Sequence, residues 1–223
     1  MTPNQVTAAR VAAAFAAVAL FTAGADALAA DLAAVLLTVV AIALDGLDGY
    51  LARTRGLATP LGAQLDILGD RVVENVFFTC FAVCGLISLW VPVVFFVRGT
   101  LTDFLRGLAA RAGRSGFGSS SMLETGWGRG LVASRTSRAA YATLKCLCFC
   151  YLGLLLAVRR LPATLLGAPA AHSLLVAGWI VTGATVVFCL VRAIPVVWEG
   201  RRYLAAAEKA PRRKQVATAA VTQ

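Results

Sequence analysis

Apolar residues occur in long runs along most of this chain, and short polar stretches separate the runs. A helix needs roughly 20 predominantly apolar residues to cross the hydrocarbon of a bilayer. The pattern predicts six membrane-spanning helices, at residues 11–25, 31–52, 64–88, 89–110, 138–158 and 171–194. We therefore expect an all-α fold, an integral membrane bundle of six transmembrane helices.

The composition agrees with a membrane protein and argues against an ordinary soluble domain. Of the 223 residues, 59% are hydrophobic and 14% are charged, whereas soluble domains carry about 25% charged residues. No internal repeat or long linker divides the chain. We predict one membrane domain at residues 1–200, followed by a basic cytoplasmic tail at 201–223.

The basic residues predict the orientation of the bundle. Lys and Arg are concentrated in the connections at 53–59 and 111–138 and in the tail, whereas the connections at 25–31 and 86–92 have none. Arg159 and Arg160, at the opposite end of the fifth span, are the exception. In a six-span bundle these basic segments lie on one side, which the positive-inside rule makes cytoplasmic. We expect both termini on the cytoplasmic side of a bacterial-type inner or plasma membrane.

The net charge of +10 also bears on the partners of the chain. A basic membrane surface attracts anionic lipid headgroups. A nucleic-acid partner is not expected, because the chain has no soluble domain in which basic and aromatic residues interleave.

Two pairs of aspartates interrupt the apolar pattern at the end of the second predicted helix and the start of the third. Asp45 and Asp48 are spaced i,i+3, and Asp66 and Asp70 are spaced i,i+4, so each pair lies on one face of its helix. Intramembrane acids are costly and usually functional. Clustered carboxylates repel one another unless cations bridge them, and oxygen ligands suit Mg²⁺ or Mn²⁺.

A short connection joins these two helices, so we expect them to be antiparallel neighbours. Pro60 suits the start of the third helix. The last turns of one helix then face the first turns of the other, which brings the four aspartates to the same depth. The sequence thus predicts a metal site at the cytoplasmic end of the bundle.

The residues around the aspartates resemble the motif of the CDP-alcohol phosphatidyltransferases, D-x2-D-G-x2-A-R-x8-G-x3-D-x3-D. Every fixed position is present, at Asp45, Asp48, Gly49, Ala52, Arg53, Gly62, Asp66 and Asp70. The opening residues Pro3, Asn4, Thr7 and Arg10 are similar to the start of phosphatidylglycerophosphate synthases in particular. The six-helix length also agrees with that family.

The resemblance implies a transferase that moves a phosphatidyl group from CDP-diacylglycerol to an alcohol and releases CMP. It implies two divalent ions, Mg²⁺ or Mn²⁺, one held by Asp45, Asp48 and Asp66 and the other by Asp45, Asp66 and Asp70. Asp70 is also the base implied for the acceptor hydroxyl. The resemblance further assigns CDP binding to Gly49, Ala52, Arg53 and Gly62, and it implies a homodimer.

The acceptor is less constrained by the sequence. Cations inside the later helices suggest a pocket for an anionic alcohol, and the candidates are Arg98, Arg106, Arg138 and Lys145, with Arg192 near the end of the sixth helix. Arginines near helix ends can instead extend to the lipid headgroups. Glycerol 3-phosphate is the leading acceptor, because the opening residues resemble those of phosphatidylglycerophosphate synthases. Inositol phosphate is the main alternative, because this chain lacks some residues that are common in those enzymes.

Two other classes of protein bind metal through intramembrane aspartates. Intramembrane prenyltransferases carry two widely separated Asp-rich motifs, whereas here the aspartates form one compact cluster. A cation transporter would place its acids along a path near the middle of the bilayer. We therefore favour the transferase and keep both classes as alternatives.

Overall fold

The computed structural model describes residues 2–23, 28–54, 59–114, 121–161 and 167–221, with the backbone alone at residues 3, 48–53, 60 and 208–221. Its described residues are mostly helical, and no strand occurs among them. The long helices are α1 (Pro3–Thr22), α2 (Leu28–Thr54), α3 (Pro60–Val83), α4 (Trp90–Arg111), α6 (Arg135–Arg159) and α7 (Ala168–Val221). Between α4 and α6 lie a short turn, α5 (Gly126–Gly128), and a π-helical segment (Arg129–Ala133). The predicted all-α fold is confirmed.

In the part of the chain that the structure describes, four helices are long and apolar enough to cross a membrane. These segments are Asn4–Thr22, Leu28–Leu47, Arg135–Arg159 and Ala168–Ala207. The predicted third and fourth spans correspond to α3 and α4, which are not among the four. Both helices carry charged residues in their interior, including Asp66, Asp70 and Glu74 in α3 and Arg98 in α4. The count of six spans therefore stays a prediction.

Local capping explains where α1 and α3 begin. Thr2 and Gln5 form a capping box at the start of α1, and Pro3 occupies its first turn. As a result α1 begins eight residues before the predicted boundary at residue 11, and Arg10 lies within the helix. The Thr59 hydroxyl caps α3 by accepting a hydrogen bond from the Gly62 N–H at 3.0 Å, and Pro60 begins that helix as predicted.

The chain forms two compact units. The first contains residues 1–96 and 143–186, and the second contains residues 97–142 and 187–223. α7 continues through Gly200 without a break, and the division into a membrane domain at 1–200 and a tail at 201–223 stays a prediction.

Aromatic side chains fill the interior of the first unit. Phe78 packs against Phe95, with ring centroids 4.3 Å apart, and against Phe149 at 4.9 Å. Phe81 connects this group to Phe21 of α1, at 5.9 Å. Buried aromatic pairs of this kind add stability beyond the area they bury. This core packs the parts of α1, α3, α4 and α6 that belong to the first unit against one another.

The connection at 112–134 is rich in Gly and Ser, which is typical of a flexible loop, yet its second half is packed and hydrogen-bonded in the second unit. Met122, Leu123 and Val132 are buried against Ala109 and Val196. The buried carboxylate of Glu199 accepts hydrogen bonds from the Glu124 N–H at 2.6 Å and from the Thr125 hydroxyl. These bonds attach the second half of the connection to α7. Residues 115–120 lie outside the described part of the chain.

Candidate active site

Three of the four motif aspartates come together in the first unit. Asp45 on α2 and Asp66 and Asp70 on α3 each present a carboxylate oxygen, and these atoms lie within 4.8 Å of one another. About half of each side chain is exposed. We call these residues the carboxylate triad. The structure describes only the backbone of Asp48 and of the predicted CDP-binding residues Gly49, Ala52 and Arg53.

The donor set of the triad suits a hard divalent cation. Mg²⁺ and Mn²⁺ prefer carboxylate oxygens, and a cation relieves the repulsion that three adjacent carboxylates would otherwise produce. The triad uses the same motif positions from which the sequence analysis predicts metal binding. Asp45, Asp66 and Asp70 are therefore the residues that could hold the ion.

Arg10 of α1 contacts all three members of the triad, which the sequence analysis missed. Its Nη1 atom forms ion pairs with Asp45 and with Asp70, the latter at 3.1 Å. Nη2 lies 3.7 Å from Asp66 Oδ1 and donates to the Asp66 carbonyl at 3.3 Å. Because α1 packs against both α2 and α3, it connects the two helices that carry the triad. The only indication of this role in the sequence is that Arg10 belongs to the opening residues that resemble the family.

Gly62 and Gly69 allow α1 to approach α3 this closely. A Cβ atom at Gly69 would lie 2.6 Å from Arg10 Nη2 and 2.9 Å from Thr7 Cγ2. At Gly62 it would lie 3.2 Å from Asn4 Oδ1. Gly62, the motif glycine assigned by resemblance to CDP binding, thus lies in contact with α1 in this structure. Its role in binding CDP stays a prediction.

Replacement of Gly69 by alanine should destabilise the protein, because the added methyl group would overlap Arg10 and Thr7. We expect a loss of about 1–3 kcal/mol in the free energy of unfolding, as is typical of overpacked sites. Gly183→Ala is the matched control in the same unit, since a Cβ there meets nothing within 4 Å. Thermal unfolding in detergent measures both variants, and equal midpoints would contradict the expected overlap.

A buried ion-pair network follows the triad along α3. Glu74, one turn after Asp70, is 1% exposed in its side chain, and it pairs with Arg71 at 2.9 Å and with Lys145 of α6 at 3.3 Å. Burial makes such a carboxylate costly unless it is paired and hydrogen-bonded. The predicted acceptor residue Lys145 is therefore held by a carboxylate of its own unit. Glu74 itself was not predicted.

The other three predicted acceptor residues belong to the second unit. Arg106 pairs with Asp103 at 3.2 Å, and Arg138 is exposed in the first turns of α6. Arg98 is buried, and its guanidinium lies 5.8 Å from the centre of the Tyr141 ring. These different surroundings single out Arg98 as the buried member of the predicted set.

Arg192 of α7 lies beside the same tyrosine. Its guanidinium carbon is 5.3 Å from the centre of the Tyr141 ring, and its side chain donates to the Leu131 carbonyl at 2.7 Å, the Val132 carbonyl at 3.1 Å and the Ser137 hydroxyl. The Nε atoms of Arg98 and Arg192 are buried without a hydrogen-bond partner. In the part of the chain that the structure describes, neither guanidinium forms an ion pair with a carboxylate. We call Arg98 and Arg192 the arginine pair.

Comparison with known proteins identifies the class to which this arrangement belongs. A family model for the CDP-alcohol phosphatidyltransferases matches residues 1–217. The chain therefore belongs to the CDP-alcohol phosphatidyltransferase family. No curated protein matches the chain.

Membership of this family establishes the general activity. The family consists of phosphotransferases of phospholipid biosynthesis, which transfer a phosphatidyl-type group from a CDP-alcohol to an acceptor alcohol and need divalent metal ions. The apolar helices and the family together indicate an integral membrane protein. The predicted enzyme class is confirmed, and the family favours the transferase over the prenyltransferase and the transporter.

Proposed function

We propose that this protein transfers the phosphatidyl group of CDP-diacylglycerol to an anionic alcohol, for which glycerol 3-phosphate is the best candidate, and releases CMP. The observation that carries the proposal is the carboxylate triad in a chain of this family. Two divalent ions, Mg²⁺ or Mn²⁺, complete the site, with Asp48 as the fourth acidic ligand. Bound there, they supply positive charge for the diphosphate of the donor and for the departing CMP.

The side chains of the protein have separate tasks in this reaction. Asp45, Asp66 and Asp70 hold cations. Asp70 also accepts the proton of the acceptor hydroxyl as the hydroxyl oxygen attacks phosphorus and CMP departs. Arg53, with Gly49, Ala52 and Gly62, binds the CDP portion of the donor. Positioning and charge neutralisation of this kind account for most of the catalysis in phosphoryl transfer.

The arginine pair supports an anionic acceptor. Burial of a cation costs free energy unless a counter-ion compensates it, and the described residues supply no carboxylate to either arginine. A phosphate group on the acceptor would supply the missing negative charge through charge-assisted hydrogen bonds. We assign the acceptor phosphate to Arg98 and Arg192. Arg106, Arg138 and Lys145 stay candidates that add positive potential.

Location at the membrane surface fits the solubility of the reactants. We propose six spans, with the carboxylate triad and both termini on the cytoplasmic side, in agreement with the distribution of Lys and Arg. The acyl chains of the donor then stay in lipid, while the acceptor arrives from water and CMP leaves into it. A homodimer is part of the proposal through the family alone.

The experiment that tests this function incubates the purified protein with CDP-diacylglycerol, Mg²⁺ or Mn²⁺ and one alcohol at a time, and follows CMP. The panel contains glycerol 3-phosphate, inositol phosphate, serine and choline. We expect CMP release only with a divalent ion and mainly with a phosphorylated alcohol. Release without divalent ions would contradict the metal site, and a preference for serine or choline would contradict the anionic acceptor. A preference for inositol phosphate would identify it as the acceptor in place of glycerol 3-phosphate and would leave the proposed type of reaction unchanged.

A further inference from the structure

Arg10 is an intrinsic cation at the centre of the carboxylate triad. Its side chain is 2% exposed, and its two Nη atoms contact one carboxylate of α2 and two of α3. A guanidinium is always charged and forms a planar fork that suits carboxylates. The first helix therefore contributes to the triad a positive charge from outside the aspartate motif.

The packing around Arg10 limits the positions available to this guanidinium. Gly69 lies so close to Arg10 that the Cβ of any larger residue would overlap Nη2. The same Cβ would also overlap the methyl group of Thr7. Nε is buried and has no hydrogen-bond partner. The favourable interactions of the buried cation thus come mainly from the triad and from the Asp66 carbonyl. Loss of these contacts would leave an uncompensated buried charge.

We propose that Arg10 is a positioning residue that acts as a resident counter-cation of the triad and competes with divalent ions for Asp45 and Asp70. This inference rests on the proposed function, since it concerns the same metal site. Arg10 cancels one of the three negative charges and holds the helices that bear them in register before an ion arrives. A divalent ion must then take over oxygens that Nη1 contacts, so Arg10 lowers the affinity of the site for metal.

The test compares the binding of Mn²⁺ to purified wild-type protein, Arg10→Gln and Arg10→Lys, without nucleotide. Electron paramagnetic resonance of free Mn²⁺ gives the dissociation constant. We expect Arg10→Gln to bind Mn²⁺ about tenfold more tightly, because a positive charge has been removed from beside the site. Arg10→Lys keeps the charge but loses the fork, so its affinity should rise by a smaller factor of about two to five. Arg135→Gln, at an exposed arginine of α6, is the matched control.

Thermal unfolding gives a second readout that does not depend on activity. In EDTA, Arg10→Gln should unfold at a lower temperature than the wild type, because three carboxylates lose their counter-charge. Added Mg²⁺ should raise its unfolding temperature by more than it raises that of the wild type. If Arg10→Gln does not fold even with Mg²⁺, the Mn²⁺ affinity of Arg10→Lys decides the question.

The outcomes separate this inference from the proposed function. Equal or weaker Mn²⁺ binding by folded Arg10→Gln, or unchanged binding by Arg10→Lys if only that variant folds, would overturn the role of Arg10 and leave the metal site intact. A wild-type protein that binds no Mn²⁺ would instead overturn the metal site, and with it both proposals. Tighter binding by the variants, with an unchanged control, supports Arg10 as the counter-cation.

Discussion

Asp70→Asn should reduce the rate of CMP release by about three orders of magnitude, the middle of the range associated with loss of a general acid or base. Asparagine has nearly the same shape as aspartate, but it accepts no proton at neutral pH and supplies no negative charge to a cation. We expect folding to persist, because Arg10 keeps its contacts with Asp45 and Asp66. Binding of CDP in the presence of divalent ions should also persist, since Asp45, Asp48 and Asp66 remain.

The measurement is a CMP-release assay at saturating donor and acceptor, together with thermal unfolding of the same preparation. Glu124→Gln is the matched control, because its exposed carboxylate pairs with Arg202 in the second unit, where a surface ion pair contributes little. Activity of Asp70→Asn near the wild-type level would remove Asp70 from the role of base. Loss of both CDP binding and the folded state would show a structural role instead.

The helices could be predicted from the sequence because their apolar runs are long and their ends carry local signals. Pro60 marks the start of α3 correctly. The boundary of α1 was wrong by eight residues, since the polar residues of its first turns obscure the helix, whereas the capping box of Thr2 and Gln5 determines its start. Hydrophobicity alone cannot locate a helix end that depends on side-chain hydrogen bonds.

The carboxylate triad could be predicted because its residues are close in sequence and their spacing fixes the helix face. Arg10 is separated from Asp66 by 56 residues, and its approach depends on the packing of α1 beside Gly69. Glu74 likewise acquires its partner Lys145 only when α3 and α6 meet. Contacts between distant helices depend on tertiary packing, which the periodicity of a single helix does not specify.

The connection between α4 and α6 illustrates the same limit. Its Gly and Ser content is typical of a flexible loop. The buried Glu199 side chain of α7 nevertheless accepts hydrogen bonds from Glu124 and Thr125. Composition describes what a segment can do in isolation, whereas contacts with distant residues, here the Glu199 carboxylate and a buried apolar cluster, hold this segment.

Arg98→Met should raise the KM for glycerol 3-phosphate by about 10- to 100-fold, which corresponds to loss of one charge-assisted hydrogen bond. The KM for CDP-diacylglycerol should change little. The same variant should be at least as stable as the wild type, because methionine has an apolar side chain of comparable length and removes a buried charge that has no carboxylate partner among the described residues. An increase in stability with a loss of acceptor affinity is typical of a residue kept for binding.

Arg192→Met provides the contrast within the arginine pair. Arg192 donates to two backbone carbonyls and to Ser137, so its removal takes a donor from the buried Val132 carbonyl. We expect loss of the bond to the buried Val132 carbonyl to lower the unfolding temperature, and loss of the charge to lower the acceptor affinity. Arg135→Met, at an exposed position in the first turn of α6, is the matched control for loss of one positive charge.

Steady-state kinetics with each substrate varied in turn, and thermal unfolding of the same samples, measure both effects. A serine acceptor, if the enzyme uses one slowly, should show no change in KM with Arg98→Met, since it has no phosphate for the arginine to bind. An equal rise in the KM values for donor and acceptor in Arg98→Met would assign the arginine pair to the diphosphate of the donor. A buried cation without a counter-ion is useful to the reaction only if it binds an anion. A marked loss of stability without a kinetic change would therefore mean that Arg98 supports the fold through its contact with Tyr141 and does not bind the acceptor.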